Sequence, residues 1–367
     1  MKTIVKGIDL SNAVNKVVKA VSQKTPNSLL EGIKLSCKGD ELTLTATDME
    51  IAIEKTISCE TFMEGSVVVP GRLFAEFVKK LEDEDEIELN VTEDGRMKIV
   101  YSGSETYLQA QSAEQYPIIK KDINLNSFVI KQKAFKDIIN KTSFACSQDD
   151  SRPILKGCLL ELEGETLTCV ALDGFRLAVC KKTVRESTGN VKAIVPARAL
   201  VEITRLIEHD EEYVTVIIQD NSLLIDIDNT VFVTRLLEGE YIDYKRIVPS
   251  SYVTVFKVNK ASLFSSIERA SVMAKVMKNI VKLDVHENYV DVSSDSEMGN
   301  VKEQVLINLE GKDVSIAFNS RYLIDCLRVI DDEFVNFNLN TSIAPCVIKP
   351  NSDEDYLYLI LPVRISQ

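Results

Sequence analysis

The chain has 367 residues, 45% of them hydrophobic and 27% charged, with 43 Lys and Arg against 56 Asp and Glu for a formal charge of −13. At roughly 100–200 residues per domain this predicts two or three domains with real cores and excludes global disorder. No apolar run approaches the ~20 residues of a membrane helix, and the opening Met1-Lys2-Thr3-Ile4-Val5-Lys6 has no apolar signal core, so a cytoplasmic protein is expected.

In chain order, helical spacing over residues 10–21 comes first. Period-two strands at 33–37 and 42–46 flank the hairpin turn Lys38-Gly39-Asp40. An apolar run then breaks at Pro70-Gly71 into a helix opened by Arg72, with Leu73, Phe74, Phe77, Val78 and Leu81 at helical spacing. Strands at 87–91 and 97–101 flank Glu93-Asp94-Gly95. The same order returns twice. Helical patches recur at 133–145 and 261–274, and hairpin turns at Glu163-Gly164-Glu165 and His286-Glu287-Asn288. Arginine-opened helices recur at Arg198 and Arg321, 126 and then 123 positions on. Ala46-Thr47-Asp48 matches Ala171-Leu172-Asp173, with Ser293-Ser294-Asp295 a weaker third copy, and Glu114-Gln115-Tyr116-Pro117 matches Gly239-Glu240-Tyr241-Ile242. Several landmarks at one period predict three repeated domains, 1–125, 126–250 and 251–367. Each is an α+β unit with two helices on an antiparallel sheet.

Each helix-opening arginine has a cation seven positions later: Arg72 with Lys79, Arg198 with Arg205, Arg321 with Arg328. Seven residues is about two turns, which predicts a basic edge on each helix. The first-helix patches add Lys16, Lys19, Lys136, Lys141, Arg269 and Lys275, while acid gathers at 82–86, 210–212 and 331–333. Basic edges without interleaved aromatics suit sequence-blind phosphate contact. A solvated amphipathic helix is the plainer reading of any one copy.

Catalytic motifs are missing. No phosphate loop surrounds Gly311-Lys312, where Leu306 and Asp313 stand at the positions that need glycine and a hydroxyl. His209 and His286 sit in polar, turn-like segments and are expected at the surface. The eight cysteines form no C-x-x-C pair and read as reduced, buried, small apolar residues. No cofactor is expected, and the chain reads as a non-enzyme. Asp149, Asp150 and Asp173 are the one carboxylate set a metal-dependent hydrolase could use, against a simpler reading as cap and turn residues. An acidic protein scaffold that ignores DNA is the other alternative.

Four segments carry a resemblance: 152–157 (Arg-Pro-Ile-Leu-Lys-Gly), 171–177 (Ala-Leu-Asp-Gly-Phe-Arg-Leu), 237–249, and the terminal 358–365. Together they resemble the bacterial DNA polymerase III beta subunit, the sliding-clamp family, over the whole length. The resemblance implies three clamp domains per chain and a head-to-tail homodimer closing a six-domain ring around duplex DNA. It implies that Lys24, Arg72, Lys79, Arg198, Arg205, Arg321 and Arg328 face the DNA. Leu108 would meet Val272 and Met273 across the dimer joint. A cleft would take short peptides from the replicative polymerase alpha subunit, the ATP-driven clamp loader, other polymerases and repair factors. By position it would use Leu155, Leu172, Gly174, Phe175, Arg176, Leu177, Ile242, Ile247, Ile360, Leu361, Pro362, Val363 and Arg364. Phe175 stands where many members have histidine, Leu172 where threonine is common and Ile242 where proline is common, so a more apolar pocket is expected.

Overall fold

The computed structural model describes residues 1–23, 25–119, 126–275, 278–297 and 299–364. The chain divides into two compact units, and the middle third is shared between them. The first unit comprises 1–132, 185–188 and 205–236; the second comprises 133–184, 189–204 and 237–367. No helix among the described residues is long and apolar enough to cross a membrane.

The first unit holds helices α1 (Gly7–Val17) and α2 (Gly71–Val78), which pack on each other. Leu10, Ala13, Val14 and Val17 of α1 and Phe74 and Val78 of α2 are all buried, the stripe their spacing predicts. A five-stranded antiparallel sheet runs in the order Glu60–Met63, Lys2–Val5, Ile87–Val91, Arg96–Tyr101, Ser104–Gln109. A ten-stranded antiparallel sheet contains the predicted hairpin, Gly32–Lys38 with Glu41–Thr47, turned at Gly39 with φ +56°. In that sheet Ile51–Ser58, from the first third of the chain, pairs with Thr230–Arg235, from the middle third, with Ile53 opposite Phe232.

The second unit is built around one twelve-stranded antiparallel sheet. It carries α3 (Gln132–Asn140, whose first residue belongs to the first unit), α4 (Ala197–Thr204), α5 (Lys260–Ala274) and α6 (Ser320–Val329), with α5 packed on α6. Here Arg176–Thr183, from the middle third, pairs with Tyr356–Ile360, from the last, and Arg176 lies opposite Ile360. The two junctions therefore repeat one design, one period apart.

A tyrosine landmark shows how closely the repeat is kept. Tyr116 Oη donates to the carbonyls of Gly32 (3.2 Å) and Thr45 (3.3 Å). Tyr241 Oη donates to those of Gly157 and Val170, 3.3 Å each, at the same sequence separations. Burial pushes the Tyr116 phenol up to about 12. Both tyrosines stitch a loop onto the hairpin below it.

All eight cysteines are free thiols, and all but Cys59 are buried. His209 is exposed, whereas His286 is half-buried, with Nδ1 3.3 Å from Asp313 Oδ2 and Nε2 3.8 Å from Asp291 Oδ2.

Candidate functional site

The helix cations come first. Arg72, Arg198 and Arg321 each lie in the first turn of their helix and are exposed. Only in α6 do both members of a pair lie within one α-helix, with Arg328 in its last turn. Helices α2 and α4 have eight residues each, so Lys79 falls in the 3-10 turn Lys79–Leu81 and Arg205 in the turn after α4. The expected two-turn edge is thus a whole-helix feature in one repeat and a helix-plus-turn feature in the other two. Asn319 caps α6 by accepting from the Arg321 N–H at 3.0 Å. Lys24 lies outside the described residues.

Cations of the first-helix patches are largely committed within the chain. Lys16 bonds Glu208 at 3.1 Å, Lys141 bonds Asp353 at 3.0 Å, and Arg269 grips both oxygens of Glu303. Lys19 Nζ reaches the Arg205 carbonyl at 3.5 Å.

The residues expected to form a cleft all belong to the second unit. Asp173 opens a tight turn, its Oδ1 accepting from the N–H groups of Phe175 (2.8 Å) and Arg176 (3.0 Å). Gly174 sits at φ +93°, a conformation glycine adopts without strain. The turn holds Phe175 out, 61% exposed, and turns Arg176 inward. The Arg176 guanidinium bonds Asp173 Oδ2 (3.0 Å), Asp325 Oδ2 (2.7 Å) and the Phe144 carbonyl (2.8 Å), and covers the Tyr322 ring at 4.3 Å. Nothing in the sequence pointed to Asp325, which lies 149 residues from Arg176.

Leu155, Leu172 and Leu177 are nearly fully buried in one apolar cluster with Tyr241, Tyr244 and Leu359, and Leu361 packs against it. Burial and the neighbouring Glu161 hold the Tyr244 phenol well above its ordinary value. The last strand continues past the turn, the Leu361 N–H donating to the Phe175 carbonyl at 2.8 Å and the Val363 N–H to the Ala317 carbonyl at 2.8 Å. Ile360 is fully buried, Leu361, Pro362 and Val363 half-buried, and Arg364 exposed. Ile242 and Ile247 are exposed by 42% and 38%. The predicted residues therefore sort into a buried floor (Leu155, Leu172, Leu177, Ile360), a turn (Gly174, Phe175, Arg176) and an accessible apolar rim (Phe175, Ile242, Ile247, and Leu361 to Val363). An extended peptide could lay apolar side chains on that rim.

Of the residues expected at a dimer joint, Leu108 is 7% exposed on Ser104–Gln109, one of the two edge strands of the five-stranded sheet. Val272 is 58% exposed and Met273 half-buried on α5. The carboxylates of the hydrolase alternative have partners. Asp149 accepts from the Ser151 N–H and hydroxyl, which holds its pKa low; Asp150 pairs with Lys156; and Asp173 serves the turn. Among the described residues no three His, Cys, Asp or Glu side chains gather as a metal site.

Three family models of the DNA polymerase III beta subunit match: the N-terminal domain over residues 1–120, the central domain over 129–243 and the C-terminal domain over 245–364. The beta sliding clamp of Staphylococcus epidermidis is 35% identical over 364 residues, covering 96% of both chains. The DNA polymerase sliding clamp of Bacillus subtilis superposes with a TM-score of 0.96 at 30% identity, covering 100% of both chains. The DNA polymerase III beta chain of Streptococcus pneumoniae gives 0.95 at 30% identity, covering 99% of this chain and 100% of that one. The repeated junctions, the arginine-opened helices and these matches agree, and the chain belongs to the DNA polymerase III beta subunit family, the beta sliding clamps.

Proposed function

We propose that two copies of this chain, each with domains at 1–125, 126–250 and 251–367, close head to tail into a ring. The ring encircles duplex DNA without catalysis and tethers the replicative polymerase to it. The observation that carries this reading is the repeated strand junction. Ile51–Ser58 takes Thr230–Arg235 as its neighbour, and Arg176–Thr183 takes Tyr356–Ile360. By the same period, the third copy of the first partner is residues 299–306 and the missing copy of the second is Ser104–Gln109. Residues 299–306 pair on one side only, with Tyr289–Ser296, and Ser104–Gln109 is a sheet edge. Two such edges in one chain are complementary between chains, and a heterologous contact whose rotation closes makes a ring. Leu108 of one protomer then faces Val272 and Met273 of its partner.

Encirclement reconciles a charge of −13 with DNA. Retention is topological, so contacts from Arg72, Lys79, Arg198, Arg205, Arg321 and Arg328 can be weak, sequence-blind and mobile. Loading falls to a separate ATP-driven loader, because the chain has no phosphate-binding loop of its own. The rim around Phe175 takes the partners' short peptides in turn.

The test is topological. The protein is loaded on nicked circular plasmid with a clamp loader and ATP, free protein is removed, and half the DNA is linearised. Retention on circles with run-off from linear DNA is the expected result. Equal loss from both, with a loader proven active on a known clamp, refutes encirclement.

A further inference from the structure

The repeat leaves a second copy of the cleft turn in the first unit. Asp48 Oδ1 accepts from the N–H groups of Glu50 (3.0 Å) and Ile51 (2.8 Å), as Asp173 Oδ1 does from Phe175 and Arg176. The Arg235 N–H donates to the Glu50 carbonyl at 3.0 Å, as that of Leu361 does to Phe175. Where the middle third has Gly174, the first third has Met49, held at φ +74° and 57% exposed. A non-glycine residue in the left-handed region costs free energy and is worth a functional question. Beside this turn lies a groove of about 380 Å³, within the size range of ligand sites. The buried Ile51, the half-buried Val233 and the exposed Met49, Ile118, Asp220 and Arg235 line it. Ile118 is 88% exposed, so with Met49 it sets two large apolar side chains against water at the groove.

We propose that this groove is a second peptide-docking site, built for an extended segment of a partner protein that sets a large apolar side chain beside a lysine or arginine. The inference rests on the reading that the Phe175 rim binds peptides. The repeat supplies the peptide: the same turn, the same backbone bond across the junction and the same tyrosine stitch frame both places. Charge supplies the selectivity. Glu50 and Asp220 outnumber Arg235 around the first groove, whereas Arg152, beside Gly174, and Arg364 stand exposed at the second. An unbranched methionine on the rim can adapt its shape to the incoming side chain, as methionines do at adaptable binding surfaces.

The test uses the full-length protein and hydrogen–deuterium exchange read by mass spectrometry, which reports the two grooves separately. The probes are the hexapeptide acetyl-Lys-Leu-Lys-Leu-Phe-Lys-amide, its counterpart with Glu for each Lys, and a Lys/Ser hexapeptide without apolar side chains, each at about 1 mM. With a Kd of about 100 µM, occupancy slows exchange about tenfold at the bound segment. The Lys peptide is expected to protect residues 47–52 and 219–222, and the Glu peptide residues 172–177 and 360–364. Ile118→Asp, a change at an exposed side chain, should abolish only the first effect, and Asp220→Lys should shift the first groove toward the Glu peptide. The proposal is overturned if the Lys peptide leaves 47–52 unprotected while the Glu peptide protects 172–177. It is also overturned if the Lys/Ser peptide protects equally, which marks charge alone, or if Ile118→Asp changes nothing. Protection at neither groove by any probe overturns the peptide reading of the Phe175 rim as well.

Discussion

Arg176→Ala should destabilise the second unit by about 3 kcal/mol, and the structure supplies the reasoning. The substitution removes charged hydrogen bonds to Asp173, Asp325 and the Phe144 carbonyl, together with the cover over Tyr322. The Arg176 and Asp173 side chains keep only 10% and 11% of their exposure, and Asp325 keeps 34%. Breaking a buried pair from one side costs roughly 3–5 kcal/mol, because the other charge is stranded. Solvent screens Asp325, which places the total near the lower end. At roughly 2–4 °C per kcal/mol for a unit of this size, the transition should fall by about 6–12 °C. Differential scanning calorimetry reads that shift, and hydrogen exchange at 173–177 and 357–361 shows whether it originates at the turn.

A second variant separates charge from packing. If the cost is a stranded carboxylate, Arg176→Ala with Asp173→Asn should be more stable than Arg176→Ala alone, by about 1 kcal/mol or more. If Arg176→Ala shifts the transition by less than about 2 °C, or if the double variant loses stability additively, the turn is held by something else. If the rim docks peptides as proposed, the same loosening should weaken their binding, since the carbonyl that anchors the Leu361 N–H belongs to Phe175.

Tyr116→Phe and Tyr241→Phe should each cost about 1–2 kcal/mol in chemical denaturation, and nearly the same amount, because each phenol serves two equivalent carbonyls; costs that differ by more than about 1 kcal/mol would contradict the equivalence. Burial alone would raise the Asp353 pKa, but its bond to Lys141 outweighs that and holds it below the ordinary value. The ion pair therefore stabilises above the unfolded carboxyl pKa of about 4 and is lost as pH falls through the depressed folded value. Wild type should accordingly exceed Asp353→Asn in stability at pH 7 and converge with it in acid, as a pH series of thermal melts would show. Of the eight thiols, Cys59 alone is not buried, so a thiol reagent should label one site per chain quickly and the rest only on unfolding; fast labelling of Cys146 or Cys158 would contradict the burial.

The repeat was legible because it is carried by residues whose jobs are local. A hairpin turn needs glycine where φ is positive, and Gly39 and Gly164 mark the same turn one period apart. A tyrosine that stitches a loop to a hairpin needs its neighbours at fixed separations, so Tyr116 and Tyr241 kept theirs. Helix length was less legible. Apolar spacing runs past Val78 to Leu81, and the pattern cannot tell a continued α-helix from the 3-10 turn that closes α2. Seven-residue cation spacing therefore predicts a single helix face, which the structure provides only in α6.

The cleft was legible as a set but not as a mechanism. The resemblance singles out Arg176 without showing what it bonds, because Asp325 and Tyr322 lie far along the chain and charge pairing across such distance has no sequence period. Burial also divides residues that the sequence treats alike. Leu172 and Phe175 are three positions apart and both apolar, yet the Asp173 turn puts one in the core and the other in water. What sorts them is a backbone conformation centred on Gly174. The same turn recurs at Asp48, where Met49 takes the glycine's place in a left-handed conformation that costs it stability and Glu50 takes that of Phe175. A repeat that keeps the turn while changing what stands on it separates the scaffold from the surface it presents, so one domain design holds out a phenylalanine at one copy and a glutamate at the other.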